Sequence, residues 1–258
     1  MINMDVKALV LVVIAVLAMI CGCQPVPQVI KPFVLEDDSS LDYLLPVVQY
    51  HIGASSVLGR PIIYQTLGSG SDVVFIMATI HGNETAGTPL VHYLSKYLQQ
   101  HRHLLDGRMV IILPVANPDG MAFNKRYNAH GIDLNRNFAA MNRINNAKYG
   151  NAGQSEPESA FIDYLLKRFK PNRIVSIHQP LNCVDYDGPA HALAQAMASK
   201  CRLPLKKLGS RPGSLGSYAG ETLGIPIITV ELLASDTNLS AAQLWDLYGQ
   251  ALLAAVTF

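Results

Sequence analysis

Apolar and polar positions change period repeatedly along the 258-residue chain, and the changes mark out alternating strands and helices. Residues 24 to about 50 are mixed, with an acidic patch at Glu36-Asp-Asp38, and regular patterning begins at His51. Pro61–Leu67 predicts a strand, Gly68–Ser71 a turn, and Val73–Ile80 a mostly apolar strand buried on both faces. Thr88-Pro89 opens a helix carried by Leu90, Leu94 and Leu98, with the proline tolerated in its first turn. Met109–Val115 is a further strand. Ser155-Glu-Pro-Glu158 reads as a capping box that starts a helix ending before Pro171. Arg173–Ile177 is a short strand, and Asp187-Gly-Pro189 starts an alanine-rich helix to about Lys200. Ser214–Leu223 predicts a short helix closed by Gly224, Ile227–Val230 a strand, and Ser240 caps a last helix from Ala241 to about Val256. Strands alternating with helices define an α/β class: a single domain with a mixed, largely parallel sheet flanked by helices.

One stretch breaks the alternation. Asn117–Asn151 is rich in Asn, Gly and Arg and has little periodicity, and a loop of that length inside a compact domain usually carries function.

The N-terminus has a different character. Ala8–Ile20 is an unbroken apolar run behind a short segment carrying Lys7, too short to span a bilayer and suited to the core of a signal peptide. Ile20-Cys-Gly-Cys23 follows and resembles a bacterial lipobox, with Gly22 as the small residue before a lipidated Cys23. The plainer alternative is an ordinary cleaved signal with two incidental cysteines. The lipobox divides the chain into a leader (1–22), a proline-containing tether (23–50) and a catalytic domain (51–258), and expects an exported lipoprotein held at a membrane of the cell envelope. Cys183 and Cys201 are then the cysteines left in the domain. Export permits a disulfide between them without requiring one.

Composition narrows the partners. A net charge of +1 with no Lys/Arg run gives no argument for nucleic acid, and 50% hydrophobic with 15% charged residues suits one globular domain plus an apolar leader.

The chemistry gathers at strand ends. The apolar run ending at Ile80 is followed at once by His81-Gly-Asn-Glu84, an imidazole and a carboxylate three residues apart that can share one face of a turn. Ile174–Ile177 runs into His178, and Ile227–Val230 into Glu231. A lone histidine after a strand is commonly structural. A glutamate inside Ile-Thr-Val-Glu-Leu-Leu needs a partner or a task, because an unpaired carboxylate is costly there. Two nitrogens, one carboxylate and a spare carboxylate at the ligand-collecting edge of an α/β sheet are the inventory of a catalytic zinc with an open position and a base. The long loop adds Arg126 and Arg136, which either sit in solvent or serve a carboxylate or an oxyanion.

These residues carry a family resemblance. His81-Gly-Asn-Glu84, Asn117-Pro-Asp-Gly120, Gly131–Phe138, Ser176-Ile-His178 and Thr229-Val-Glu231 resemble the ordered motifs of zinc metallocarboxypeptidases over roughly residues 51–258. Gln154–Glu158, His178-Gln-Pro-Leu181 and Pro212–Ser217 are similar to the bacterial murein peptide amidase branch, which cuts the γ-D-glutamyl to meso-diaminopimelate bond of cell-wall peptides. The resemblance implies one zinc on His81, Glu84 and His178. It makes Glu231 the base that takes a proton from the attacking water and passes it to the leaving amine. Arg126 would steady the oxyanion, and Asn135 with Arg136 would clamp the free carboxylate of a muropeptide. Asn83 stands where digestive carboxypeptidases have arginine, and Tyr218 sits too near Glu231 to be assigned as their mobile tyrosine.

Two other functions compete. The His-Gly-Asn-Glu and Asp-Leu-Asn-Arg elements are shared by small acyl-amino-acid amidohydrolases of the aspartoacylase and succinylglutamate desuccinylase type, against which Asn117–Gly120 and His178–Pro180 argue. A non-catalytic muropeptide-binding lipoprotein is the other, and retention of all three ligands and Glu231 speaks against it.

Overall fold

The computed structural model describes residues 48–258, so the leader, Cys23 and most of the tether lie outside the described residues. Seven strands form one sheet in the order β1-β2-β4-β3-β5-β7-β6: β1 Val48–Ser55, β2 Pro61–Gly68, β3 Asp72–Ala78, β4 Arg108–Leu113, β5 Arg173–His178, β6 Cys183–Asp187 and β7 Ile227–Glu231. The central four, β4, β3, β5 and β7, run parallel, while β1, β2 and β6 close the two edges antiparallel. Helices α1 (Gly87–Gln100), α2 (Pro118–Ala122), α3 (Pro157–Phe169), α4 (His191–Ala198) and α5 (Ala241–Val256) fill the connections.

The sheet is buried on both faces, which is why β3 reads as a continuous apolar run rather than an alternating one. Val74, Ile76 and Ala78 point into a core shared with Leu90 and Leu94 of α1 and Leu252 of α5. Val73, Phe75 and Met77 point the other way, against Phe161, Ile162 and Leu165 of α3. The side-chain period of two thus divides one strand between two helical layers.

Four expectations change at element ends. Regular structure begins at Val48, because β1 pairs with β2 from Val48↔Leu67 onward, so the boundary expected at 51 falls inside a strand. The capping box at Ser155 does not form: the N-cap of α3 is Glu156, and the Ser155 hydroxyl instead accepts from Asn137 Nδ2 at 2.9 Å. Asp187 ends β6 rather than opening a helix, and α4 starts at His191. The helix expected over Ser214–Leu223 is a π-helix, Gly216–Thr222, followed by Gly224 at φ +70°.

Cys183 and Cys201 are free thiols. No helix among the described residues is long and apolar enough to cross a membrane.

Candidate active site

The carboxyl ends of β3, β5 and β7 meet at one place. Thr79, just past β3, sits at φ +54°, a left-handed conformation costly for a β-branched residue. It is held by a hydroxyl contact to Thr88 Oγ1 at 2.8 Å and by Asn117 N–H donating to its carbonyl at 3.0 Å. The chain then makes a turn in which Glu84 N–H donates to His81 C=O at 3.0 Å, so His81 and Glu84 share a face through a turn rather than a helix. Gly82 inside that turn lies against the backbone of Gly120, where a Cβ would come within 2.0 Å of a carbonyl carbon. Asn117 fixes the other side, accepting from Gly120 N–H at 2.8 Å and donating to Ile80 C=O at 3.3 Å.

His81, Glu84 and His178 are all buried, and one potential ligand atom from each lies within 4.8 Å of the others. His81 Nδ1 approaches Glu84 Oε1 at 2.9 Å, and His178 Nδ1 approaches Glu84 Oε2 at 3.0 Å. The two imidazoles meet edge-on with centroids 4.9 Å apart. Burial disfavours ionised Glu84, yet the hydrogen bond from His178 and the charge of both imidazoles hold its carboxyl far below the usual range.

The donor set fits a zinc ion. His81 Nδ1 is buried and has no hydrogen-bond partner despite its closeness to the carboxylate, so the two atoms converge without bonding to each other. The opposite nitrogen, Nε2, meets Asp133 Oδ1 at 3.1 Å, an outer carboxylate of the kind that orients a metal-bound histidine. Burial opposes ionisation of Asp133 too, but His81, Arg126 and Arg136 bring its carboxyl down to about 2.

Glu231 lines the same cavity without being part of this cluster. It accepts one hydrogen bond, from Leu181 N–H to Oε2 at 3.2 Å, and among the described residues it forms no ion pair. Burial raises its carboxyl above the ordinary glutamate value, opposed by His178 and the Leu181 N–H.

Asn135 and Arg136 also line the cavity, at the 3₁₀ turn Leu134–Arg136. Asn135 Oδ1 accepts from Leu215 N–H at 2.9 Å, which fixes the orientation of its amide. Arg126 lies in the cavity wall with Nη1 3.0 Å from Glu84 Oε1 and Nε 3.2 Å from Asp133 Oδ2. The long loop that bears these cations is tied down from below. Arg143 donates to the carbonyls of Arg136, Tyr149 and Gly150, and Asn137 accepts from the Ser159 hydroxyl at 2.6 Å.

The cavity has a volume of about 480 Å³ and contains residues that sequence patterning passed over: Asp133 nearby, and Asp185, Asp187 and Arg211 in its walls. A signal for two of them is present in the alternation Val184-Asp185-Tyr186-Asp187, a period of two that marks a strand with one polar face. Tyr218 is turned away from this chemistry. Its hydroxyl donates to Asp163 Oδ1 at 2.6 Å in the interior. A second concavity of about 580 Å³, lined by Tyr50, Ile63, Pro114 and Met121, is apolar apart from Gln65 and His92.

The sheet, the triad and the glutamate beside it define a metallopeptidase fold, and residues 46–186 match the zinc carboxypeptidase family model. The chain belongs to the zinc carboxypeptidase family and is a hydrolytic enzyme. Murein peptide amidase A from Escherichia coli (strain K12) is 33% identical to it over 205 residues, covering 70% of this chain and 79% of that protein. The crystal structure of murein-tripeptide amidase MpaA from Escherichia coli O157 matches with a TM-score of 0.60 at 26% identity, over 81% of this chain and 92% of that one. Carboxypeptidase A from Helicoverpa armigera shares the fold, with a TM-score of 0.67 at 21% identity over 84% of this chain and 70% of that one. These matches favour the carboxypeptidase reading over the acyl-amino-acid amidohydrolase.

Proposed function

We propose that this enzyme is a zinc exopeptidase of cell-wall peptides that hydrolyses the bond between a γ-D-glutamyl residue and the meso-diaminopimelate that follows it. The observation that carries the reading is the convergence of a metal-type triad, a carboxylate without a cation and two carboxylate-binding side chains on one cavity. The similarity to murein peptide amidases supplies the substrate class.

His81, Glu84 and His178 would hold one zinc, which when bound polarises a carbonyl and makes water a usable nucleophile near neutral pH. Glu231 takes the proton of the attacking water and hands it to the departing amine. Its burial and lack of a cationic partner make it a stronger base than an exposed glutamate. Arg126 offers positive charge to the carbonyl oxygen as that oxygen becomes an oxyanion. Asn135 and Arg136 hold the free carboxylate next to the scissile bond, which positions the carbonyl and confines cleavage to a chain end. The same reading includes export and a lipid on Cys23, supported by the apolar run and small residue before it.

Mass spectrometry of the products from L-Ala-γ-D-Glu-meso-diaminopimelate tests the activity. Release of free diaminopimelate with L-Ala-D-Glu is expected. An intact tripeptide after incubation with zinc-loaded enzyme defeats it.

A further inference from the structure

Asn128, two residues beyond Arg126, is 5% exposed and stands outside the cavity wall, yet all of its hydrogen-bonding groups are engaged. Its N–H donates to Ile132 C=O at 3.1 Å, and its C=O accepts from Gly131 N–H at 3.0 Å. The side-chain Oδ1 accepts from His130 N–H at 3.1 Å and from Ile132 N–H at 3.0 Å. The side-chain Nδ2 donates to Glu156 Oε2 at 2.8 Å and to Glu158 Oε2 at 3.2 Å. A primary amide offers two donors and two acceptor sites, and here all four are used. None of the proposed catalytic roles calls on these bonds.

The bonds fall into two sets. The backbone and Oδ1 set closes a reverse turn over residues 128–132, with Gly131 at φ +78°. Closing it brings Arg126 and Asp133 side by side at the neck, where Arg126 Nε lies 3.2 Å from Asp133 Oδ2. The Nδ2 set ties the turn to the start of α3, a helix packed on β3 through Phe161, Ile162 and Leu165. Glu158 is fully buried and also accepts from Val57 N–H at 3.3 Å, between β1 and β2. Burial raises its carboxyl, opposed by its own backbone N–H, by Asn128 and by Val57. A buried acid that loses a donor is destabilised, so the Asn128 amide is held in one orientation. Arg126 is less constrained. Its side chain is 36% exposed, and its carbonyl accepts only long bonds, from Gly82 N–H at 3.2 Å and Asn117 Nδ2 at 3.4 Å. The aim of its guanidinium therefore depends on the turn that follows it.

We infer that Asn128 is the positioning residue for Arg126: its amide locks the 128–132 turn to α3, so that the guanidinium faces the cavity before substrate arrives. This rests on the proposed oxyanion role of Arg126 and adds to it the reason the guanidinium keeps its place. Charge fixed in advance where an oxyanion develops needs no reorganisation during reaction, and a displacement of about 1 Å can cost about 10²-fold.

A double-mutant cycle on zinc-loaded enzyme with L-Ala-γ-D-Glu-meso-diaminopimelate tests it, with rates expressed per bound zinc so that misfolded protein drops out. Arg126→Ala should lower kcat by about 10²–10³-fold, the scale for one oxyanion donor. Asn128→Ala should lower kcat by about 10–100-fold and leave KM within about 2-fold. In the Arg126→Ala background the same change should alter kcat by less than about 3-fold, because the group it positions is gone. Asn128→Asp keeps the oxygen that closes the turn and loses the donors to Glu156 and Glu158, and its effect should depend on Arg126 in the same way. Amide exchange read by peptide mass should quicken by about 10-fold or more over residues 126–133 in Asn128→Ala and stay as in wild type over β5. Equal kcat losses in the two backgrounds, or an unchanged kcat, overturn the positioning role and leave the Arg126 assignment standing. Wild-type kcat in Arg126→Ala removes the oxyanion role and this inference with it. No cleavage by wild type defeats the proposed activity and both roles.

Discussion

His178 and Glu231 are register partners on adjacent parallel strands, β5 and β7, although 52 residues of sequence lie between them. The sheet therefore sets the distance from a metal-type histidine to the carboxylate beside it, and no loop intervenes. A one-residue slip of β7 would turn Glu231 to the opposite face and put Val230 or Leu232 in its place.

Glu231→Gln preserves this geometry and removes the proton acceptor. We expect kcat to fall by about 10²–10⁴-fold with zinc content and tripeptide binding retained, as for loss of a general base. Metal analysis and calorimetric titration beside steady-state kinetics check it. A variant retaining near wild-type kcat removes Glu231 from the mechanism.

Arg136→Ala should act on binding. A rise in KM of about 10–100-fold is expected, the scale of one charge-assisted hydrogen bond. Amidating the substrate's free carboxylate should harm wild type far more than the variant. Equal sensitivity of the two proteins to amidation would take Arg136 out of the clamp.

Asp72 and Arg173 tie the start of β3 to the end of α5. Arg173 forks onto Asp72 at 2.6 and 2.9 Å and also donates to the Ala255 and Val256 carbonyls. The Arg173 hydrogen bond holds the Asp72 carboxyl below its ordinary value, with burial opposing. A depressed folded-state value means the contribution is present above the ordinary carboxylate range and is lost as pH falls through the folded value. Asp72→Asn should cost about 1 kcal/mol at neutral pH, at the low end because Asp72 is a third exposed. The gap to wild type should close in acid. Urea unfolding at several pH values reads both, and a gap that widens toward acid contradicts the assignment.

Tyr218→Phe should separate stability from chemistry. Burial and the Asp163 carboxylate push the Tyr218 phenol well above its usual value, so the hydroxyl remains a donor across the working range. Losing that donor should cost about 1–2 kcal/mol in denaturant while kcat stays as in wild type. A collapse of kcat at unchanged stability would contradict this and give Tyr218 a part in the reaction.

Cys23→Ala should move the protein from the membrane fraction to the soluble fraction of the envelope. Quantitative blotting of fractionated cells expressing the full chain measures it, and retention in the membrane would rule out lipid anchoring through Cys23.

The sequence made the centre of the sheet and the three strand ends legible because β3, β5 and β7 are short apolar runs that stop at a titratable residue. Residues whose partners are distant in the chain were less visible. Asp133 stood inside a recognised motif, but its contact with His81 spans 52 positions and no local pattern announces it. Ser155 had the spacing of a helix cap, and Asn137, arriving from the long loop, took its hydroxyl instead. Asp185 and Asp187 were hidden because β6 is an edge strand of five residues beside a Gly-Pro pair, and the turn signal outweighed the alternation.

That edge strand has a further consequence. Because β6 runs antiparallel to β7, its side chains form a graduated scale whose zero is the base and whose marks are about 7 Å apart. Asp185 and Asp187 both line the cavity, so the ladder alone fixes how far along β6 each stands from Glu231, and either can be exchanged without altering the His81, Glu84 and His178 triad.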